Sequence, residues 1–142
     1  MNLNKDIKRI ITYFKSRDEV SALYLFGSAL KGGGTRESDI DIAVFVNEKR
    51  LKRRNFELLK NAYYQASPAF SLSPVDIVIL NAASPYLKHH ILKTGMMLFD
   101  RNKKLRVDFT AKVIIEYLDF KPIEDFFNNA IARRFRRASV GR

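Results

Sequence analysis

The spacing of apolar residues in the first third of the chain predicts a helix followed by two strands. Near the start, four apolar residues recur at the i, i+3, i+4 and i+7 positions of one helical face: Ile7, Ile10, Ile11 and Phe14. They predict a helix over about residues 4–16. Two short, mostly apolar runs, Val20–Phe26 and Ile40–Val46, predict buried strands, because a turn closes the first run and a glycine-containing loop precedes the second.

The middle of the chain continues this alternation of helix and strand. The pattern predicts a helix over residues 48–66 and a third strand over residues 75–80. Ser84 and Pro85 provide a hydroxyl cap and a proline at the first helical position, so the next helix should begin there and end at Gly95. A short fourth strand is predicted over residues 96–99.

From about residue 105 the pattern predicts helix in two pieces, separated at Pro122. The second piece has a broad apolar stripe formed by six residues: Ile123, Phe126, Phe127, Ala130, Ile131 and Phe135. Packing of this stripe on the chain's own domain is the default interpretation, and packing on a partner is the alternative.

The alternation predicts an α/β (α+β) fold, with one mixed sheet of about four strands, flanking helices and a helical C-terminal end. At 142 residues and 46% hydrophobic content, the chain is the right size for one compact domain. We therefore predict a single domain over residues 1–142, with a core over about residues 20–100 and C-terminal helices over about residues 105–138.

The net charge of +11 is concentrated in two short segments. Ten of the 26 basic residues lie in residues 49–54 and 133–142, which leaves 16 basic against 15 acidic residues elsewhere. Such runs can contact phosphates or an acidic protein, although a basic run on a helix is more often a solvated face. We favour the solvated interpretation for residues 49–54.

The composition also restricts the compartment and the kind of metal site. No apolar run approaches the roughly 20 residues that a membrane span requires, and the polar start of the chain lacks the apolar segment of a secretion signal. A cytoplasmic protein without membrane contact is expected. Because there is no cysteine and the two histidines are adjacent, a metal would have to bind carboxylates.

Three aspartates within apolar strands are the strongest chemical signal in the sequence. Side chains alternate along a strand, so Asp39 and Asp41 should point to one side while Ile40 enters the core. Asp76, in the third strand, could complete a cluster of carboxylates. Carboxylates suit Mg²⁺, and two such ions could activate an attacking oxygen and neutralise a triphosphate. We predict catalytic and metal-binding roles for all three aspartates.

The turn after the first strand is predicted to bind phosphate. Gly27 and Ser28 offer backbone N–H groups and a hydroxyl, while Lys31 and Arg36 in the following loop could neutralise the β- and γ-phosphates. The neighbouring residues Tyr63 and Tyr64 are interpreted as packing residues rather than as parts of a site.

Gly27-Ser28, the Asp39-x-Asp41 motif and the later Asp76 together resemble the signature of the nucleotidyltransferase superfamily that includes DNA polymerase beta. The resemblance covers about residues 20–100. It is closest to the minimal nucleotidyltransferases (MNT proteins), and residues 76–81 look like the MntA-type adenylyltransferase antitoxins of HEPN/MNT toxin–antitoxin systems.

This resemblance implies a polymerase-beta-like fold and an enzyme that uses ATP with Mg²⁺. It further implies that the chain neutralises a HEPN-family ribonuclease toxin by transferring AMP to a toxin tyrosine. Two alternatives stay open: transfer of a nucleotide to a small-molecule hydroxyl, and a non-catalytic module that binds a toxin or RNA. The short C-terminal part favours a protein acceptor over an elaborate small-molecule pocket.

Overall fold

A computed structural model of the chain describes residues 3–27 and 39–140, with side chains up to residue 137. In chain order the helices and strands are α1 (Leu3–Lys15), β1 (Val20–Phe26), β2 (Ile40–Val46), α2 (Phe56–Phe70), β3 (Val75–Ile79), α3 (Pro85–Thr94), β4 (Met96–Asp100) and α4 (Lys103–Val140). Short 3₁₀ turns at Glu48–Arg50 and Leu80–Ala82 follow β2 and β3.

The described strands form one mixed four-stranded sheet in the order β3-β2-β1-β4. β1 is antiparallel to both β2 and β4, whereas β2 and β3 are parallel. The parallel pair is possible because α2 connects β2 to β3 and returns the chain to the starting end of the sheet. The predicted mixed sheet of four strands with flanking helices is confirmed.

Helices cover both faces of the sheet and divide the core into two clusters. On one face, α1 and α2 bury their apolar residues against the strands, with Phe14 and Tyr63 fully buried between them. On the other face, α3 contributes Ile91 and the start of α4 contributes Leu105 and Phe109. The Phe109 ring stacks on Phe45 of β2 with ring centroids 4.3 Å apart. The sheet therefore lies between two helical layers.

The predicted helix over residues 48–66 is wrong at both ends, because two asparagines cap two separate elements. Asn47 accepts a hydrogen bond from the Lys49 N–H and begins the 3₁₀ turn, while Asn55 accepts one from the Leu58 N–H and begins α2. At its other end α2 continues through Pro68. The Ser67 hydroxyl donates to the Tyr64 carbonyl at 2.7 Å and replaces the amide donor that Pro68 lacks.

The predicted break at Pro122 is also wrong, since α4 is one helix of 38 residues. A proline removes a single helical hydrogen bond, here to the Leu118 carbonyl, and Leu118 lies on an exposed part of the helix where water can bond that carbonyl. The apolar stripe that begins at Ile123 does not pack on the domain as expected by default. Like the other described helices, α4 is not long and apolar enough to cross a membrane.

Candidate active site

Two carboxylates lie next to each other at the end of the sheet where β2 and β3 begin. Asp41 and Asp76 are each the second residue of their strand, and the parallel register pairs them directly. Adjacent strands lie about 4.8 Å apart, so paired residues project from the same face of the sheet. Their neighbours Ile40 and Ile77 are buried in the core. The parallel register of β2 and β3 therefore directs both carboxylates to one place.

Asp39 adds a third negative charge to this end of the sheet. It is exposed and lies directly before β2. Burial raises the pKa of Asp41 above its ordinary value, and the charges of Asp76 and Asp39, together with a hydrogen bond involving Asp76, raise the pKa further. The effect on Asp41 shows that these like charges are close enough to repel, so this end of the sheet favours a bound cation.

The chemistry of these side chains fits a hard divalent cation. Proteins usually hold Mg²⁺ through one or two carboxylates, and substrate phosphates supply further oxygen ligands. Among the described residues, however, no three acidic, histidine or cysteine side chains converge into a complete metal-binding group. Asp41 and Asp76 are paired in the strand register, and the three-carboxylate magnesium site stays a prediction.

Gly27 brings the end of β1 against Asp41. β1 and β2 pair Phe26 with Asp41, and the next residue, Gly27, turns the chain with φ of 77°. A Cβ atom at Gly27 would lie 2.0 Å from Asp41 Oδ2, well inside any possible contact. Both the positive φ and this close approach require glycine. The turn predicted to bind phosphate therefore lies directly beside a predicted metal ligand.

The other predicted phosphate-binding residues, Ser28, Lys31 and Arg36, lie outside the described residues, and their roles stay predictions. The basic segment at residues 49–54 cannot substitute for them. It follows the far end of β2, which is about 17 Å from Asp41 at the rise of an extended strand. Arg54 in this segment is exposed and pairs with Glu48 at 3.0 Å, in keeping with a solvated surface.

Tyr64 contacts the site although its sequence context indicated only packing. Its hydroxyl donates to Asp76 Oδ1 at 2.9 Å and accepts from the Ile77 N–H at 2.8 Å. Burial raises the pKa of Tyr64, with a smaller contribution from Asp76, so the hydroxyl keeps its proton and remains a donor. No local pattern identifies this role, because it depends on how α2 lies over β3. Tyr63, in contrast, is a core residue whose hydroxyl bonds Glu19.

Comparison with protein families identifies the group of proteins that shares this arrangement. Residues 8–104 match the family model described as polymerase beta, nucleotidyltransferase. The chain belongs to the polymerase beta nucleotidyltransferase family. The matched residues extend from α1 to the start of α4 and include the β1 turn and all three aspartates. The family and the enzyme class expected from the sequence are therefore confirmed.

Individual relatives extend this similarity to the rest of the chain. The sequence is 30% identical to protein adenylyltransferase MntA of Shewanella oneidensis, over 99% of this chain and 98% of MntA. A crystal structure of a toxin–antitoxin with AMP-PNP contains a chain with 27% identity and a TM-score of 0.70, covering 89% of this chain and 98% of that one.

The fold is shared with a further solved complex, the tri-AMPylated Shewanella oneidensis HEPN toxin with MNT antitoxin. Its matching chain has a TM-score of 0.68 at 23% identity, covering 89% of this chain and 96% of that one. The predicted polymerase-beta-like nucleotidyltransferase fold is therefore confirmed.

Proposed function

We propose that this chain is a magnesium-dependent protein adenylyltransferase and an antitoxin, which transfers AMP from ATP to a tyrosine hydroxyl of a cognate HEPN-family toxin. The observation that carries the proposal is the Asp41–Asp76 pair beside the Gly27 turn, in a chain similar to MntA over its whole length. The AMP-PNP in a related toxin–antitoxin structure supports ATP as the nucleotide and a toxin as the partner. The reaction is proposed to take place in the cytoplasm, where ATP is available.

In the proposed reaction the acceptor oxygen attacks the α-phosphorus of ATP. A new P–O bond forms, the bond to pyrophosphate breaks, and the acceptor hydroxyl gives up its proton. We assign this proton to Asp76, which is exposed and therefore accessible to an arriving hydroxyl. Asp41 lies beside the Gly27 turn and is assigned to the triphosphate side. Asp39, Asp41 and Asp76 would hold two Mg²⁺ ions, which would neutralise charge at the triphosphate and at the attacking oxygen.

The direct test is transfer of label to the protein encoded by the neighbouring gene. With Mg²⁺ and ATP labelled at the α-phosphate, we expect label on a tyrosine of that protein and release of unlabelled pyrophosphate. ATP labelled at the γ-phosphate should leave the protein unlabelled, because the γ-phosphate departs with pyrophosphate. Absence of α-label from a partner that forms a stable complex with the chain would contradict the proposal and favour the non-catalytic alternative.

Tyr64 is proposed to position Asp76, and Tyr64→Phe tests this role. Removing the hydroxyl leaves Asp76 without its donor, so we expect kcat to fall by about tenfold and the Mg²⁺ concentration for half-maximal activity to rise, as is typical when a ligand loses its supporting hydrogen bond. The KM for ATP should change little. Both values are obtained from initial rates measured over a magnesium titration.

Tyr63→Phe is the matched control, since it removes a hydroxyl one position earlier in the same helix. That hydroxyl bonds Glu19 in the core, so its loss should lower the melting temperature and leave the magnesium dependence unchanged. A Tyr64→Phe enzyme with the kcat and magnesium dependence of the wild type would show that Asp76 needs no support from α2.

A further inference from the structure

The first part of α4, up to Tyr117, packs on the domain, and the rest projects from it. Phe109 stacks on the sheet and Val113 is buried. Further along, α4 contacts α3 through an ion pair between Lys88 and Glu116 at 3.6 Å and through the stacking of His89 on Tyr117 at 3.8 Å. Beyond Tyr117 the described side chains are exposed, apart from Phe120, Glu124 and Ala130, which are half-buried. At 1.5 Å per residue, residues 118–137, here called distal α4, extend for about 30 Å.

Distal α4 is apolar although it is exposed. Six of its large apolar side chains are between 54% and 72% exposed: Leu118, Ile123, Phe126, Phe127, Ile131 and Phe135. Single helices of this length are marginal in water, and exposed apolar surface of this extent marks a contact surface. A partner that covers these side chains would therefore stabilise the helix as well as bind it.

Part of this apolar surface continues the face that α4 already uses for packing. Phe109 and Val113 pack on the domain, and from Val113 steps of seven, seven and four residues lead to Phe120, Phe127 and Ile131. Such steps keep residues on one side of a helix. The same side thus contacts the sheet in the first part of α4 and faces outward in distal α4.

The charges of distal α4 indicate what kind of surface covers it. Four exposed arginines surround Phe135 at its end: Arg133, Arg134, Arg136 and Arg137. An acidic protein surface complements them, whereas a second copy of this chain would bring the same net charge of +11. Exposed phenylalanine and isoleucine between arginines are typical of protein interfaces, and RNA offers no apolar groove to bury them.

We infer that distal α4 docks, through its Phe127–Ile131 face, in an apolar groove with an acidic rim on the toxin that receives AMP. This inference rests on the proposed function. Contacts made there hold the acceptor without involving Asp39, Asp41 or Asp76, and positioning of the two reactants supplies much of the rate of phosphoryl-type transfer.

The test measures binding of the neighbouring-gene protein to full-length variants. Phe127→Ser with Ile131→Ser should weaken the equilibrium affinity by at least about tenfold, as expected for central interface residues. The KM for the toxin should rise, while kcat at saturating toxin and the KM for ATP stay unchanged. Arg134→Glu with Arg137→Glu should weaken binding most at low salt.

Leu118→Ser is the matched control on the same helix. Leu118 is also exposed and lies nine residues before Phe127, which places it on the opposite side of α4. The control should bind the toxin as the wild type does, and melting temperatures should confirm that all variants are folded. If Leu118→Ser weakens toxin binding as much as the Phe127/Ile131 variant does, or if the Phe127/Ile131 variant binds like the wild type, the toxin does not dock on the Phe127–Ile131 face.

Three further outcomes separate the possible occupants and the two proposals. If the isolated chain is a dimer and the Phe127/Ile131 variant is a monomer, a second copy covers the face and the inference is wrong. If the isolated chain binds RNA and the same variant does not, the inference is equally wrong. If the toxin binds through this face and never acquires AMP, docking stands and the proposed function fails.

Discussion

Asp41→Asn is expected to abolish AMP transfer, with kcat falling by about a thousandfold or more. An amide of the same shape cannot provide the charged oxygen that holds a divalent cation, and bound metal contributes several kcal/mol of transition-state stabilisation in enzymes of this kind. Each 1.36 kcal/mol corresponds to a tenfold change in rate. Initial rates with α-labelled ATP and the toxin measure the effect. Activity within a few fold of the wild type would remove Asp41 from the metal site.

The melting temperature of Asp41→Asn serves as the control for folding. The direction in which it should differ from that of the wild type at each pH follows from the raised pKa of Asp41. Burial and the charges of Asp76 and Asp39 raise the pKa of Asp41 in the folded protein, so the charged carboxylate destabilises the metal-free fold above that pKa. The variant should therefore melt at the same or a higher temperature than the wild type at pH 7. At pH 3 the carboxyl of Asp41 is mostly protonated in both the folded and the unfolded protein, so the variant and the wild type should melt at the same temperature.

Gly27→Ala is expected to reduce transfer by about a hundredfold or more, although it adds only one methyl group. The methyl would lie 2.0 Å from Asp41 Oδ2, so either the carboxylate or the turn has to move by more than 1 Å. A misplacement of that size costs about a hundredfold in rate. The positive φ of 77° adds roughly 1–2 kcal/mol of backbone strain. Activity and melting temperature, measured on the same preparation, separate these two effects.

Gly95→Ala is the control for general strain from a glycine substitution. Gly95 has an ordinary φ of −73°, and its added Cβ would lie 2.6 Å from the Ile91 carbonyl oxygen. We expect a lower melting temperature and, below that temperature, a much smaller loss of kcat than for Gly27→Ala. If the two variants lose activity in proportion to their loss of stability, the close approach of Gly27 to Asp41 has no specific role.

Local sequence patterns were sufficient for most of the secondary structure. β1 and β2 have the predicted bounds, because each is an apolar run limited by turn residues or by the charged Asp39. The helix starting at Pro85 was equally predictable, since the Ser84 hydroxyl accepts from the Leu87 N–H and Gly95 ends the helix. The predicted boundaries of α2 and the break at Pro122 were wrong, because apolar periodicity shows neither the caps at Asn47 and Asn55 nor whether a helix continues through a proline.

Part of the site was also predictable from local patterns. Asp41 and Asp76 were identifiable because carboxylates inside apolar strands require a charged partner. Their direct pairing was not, because it depends on a parallel contact between strands separated by α2. Tyr64 was missed for the same reason, since its contact with Asp76 exists only when α2 packs over β3.

The two ends of α4 show most clearly what the sequence by itself determined and what the tertiary structure decided. The spacing of Phe109 and Val113, and that of Phe127 and Ile131, determined that the helical segments before and after Pro122 each have an apolar side. The extent of the sheet and of α3 decided that Phe109 and Val113 pack on the domain while Phe127 and Ile131 face outward. Periodicity depends only on neighbouring residues in one helix, whereas burial depends on which other elements lie within contact distance of it.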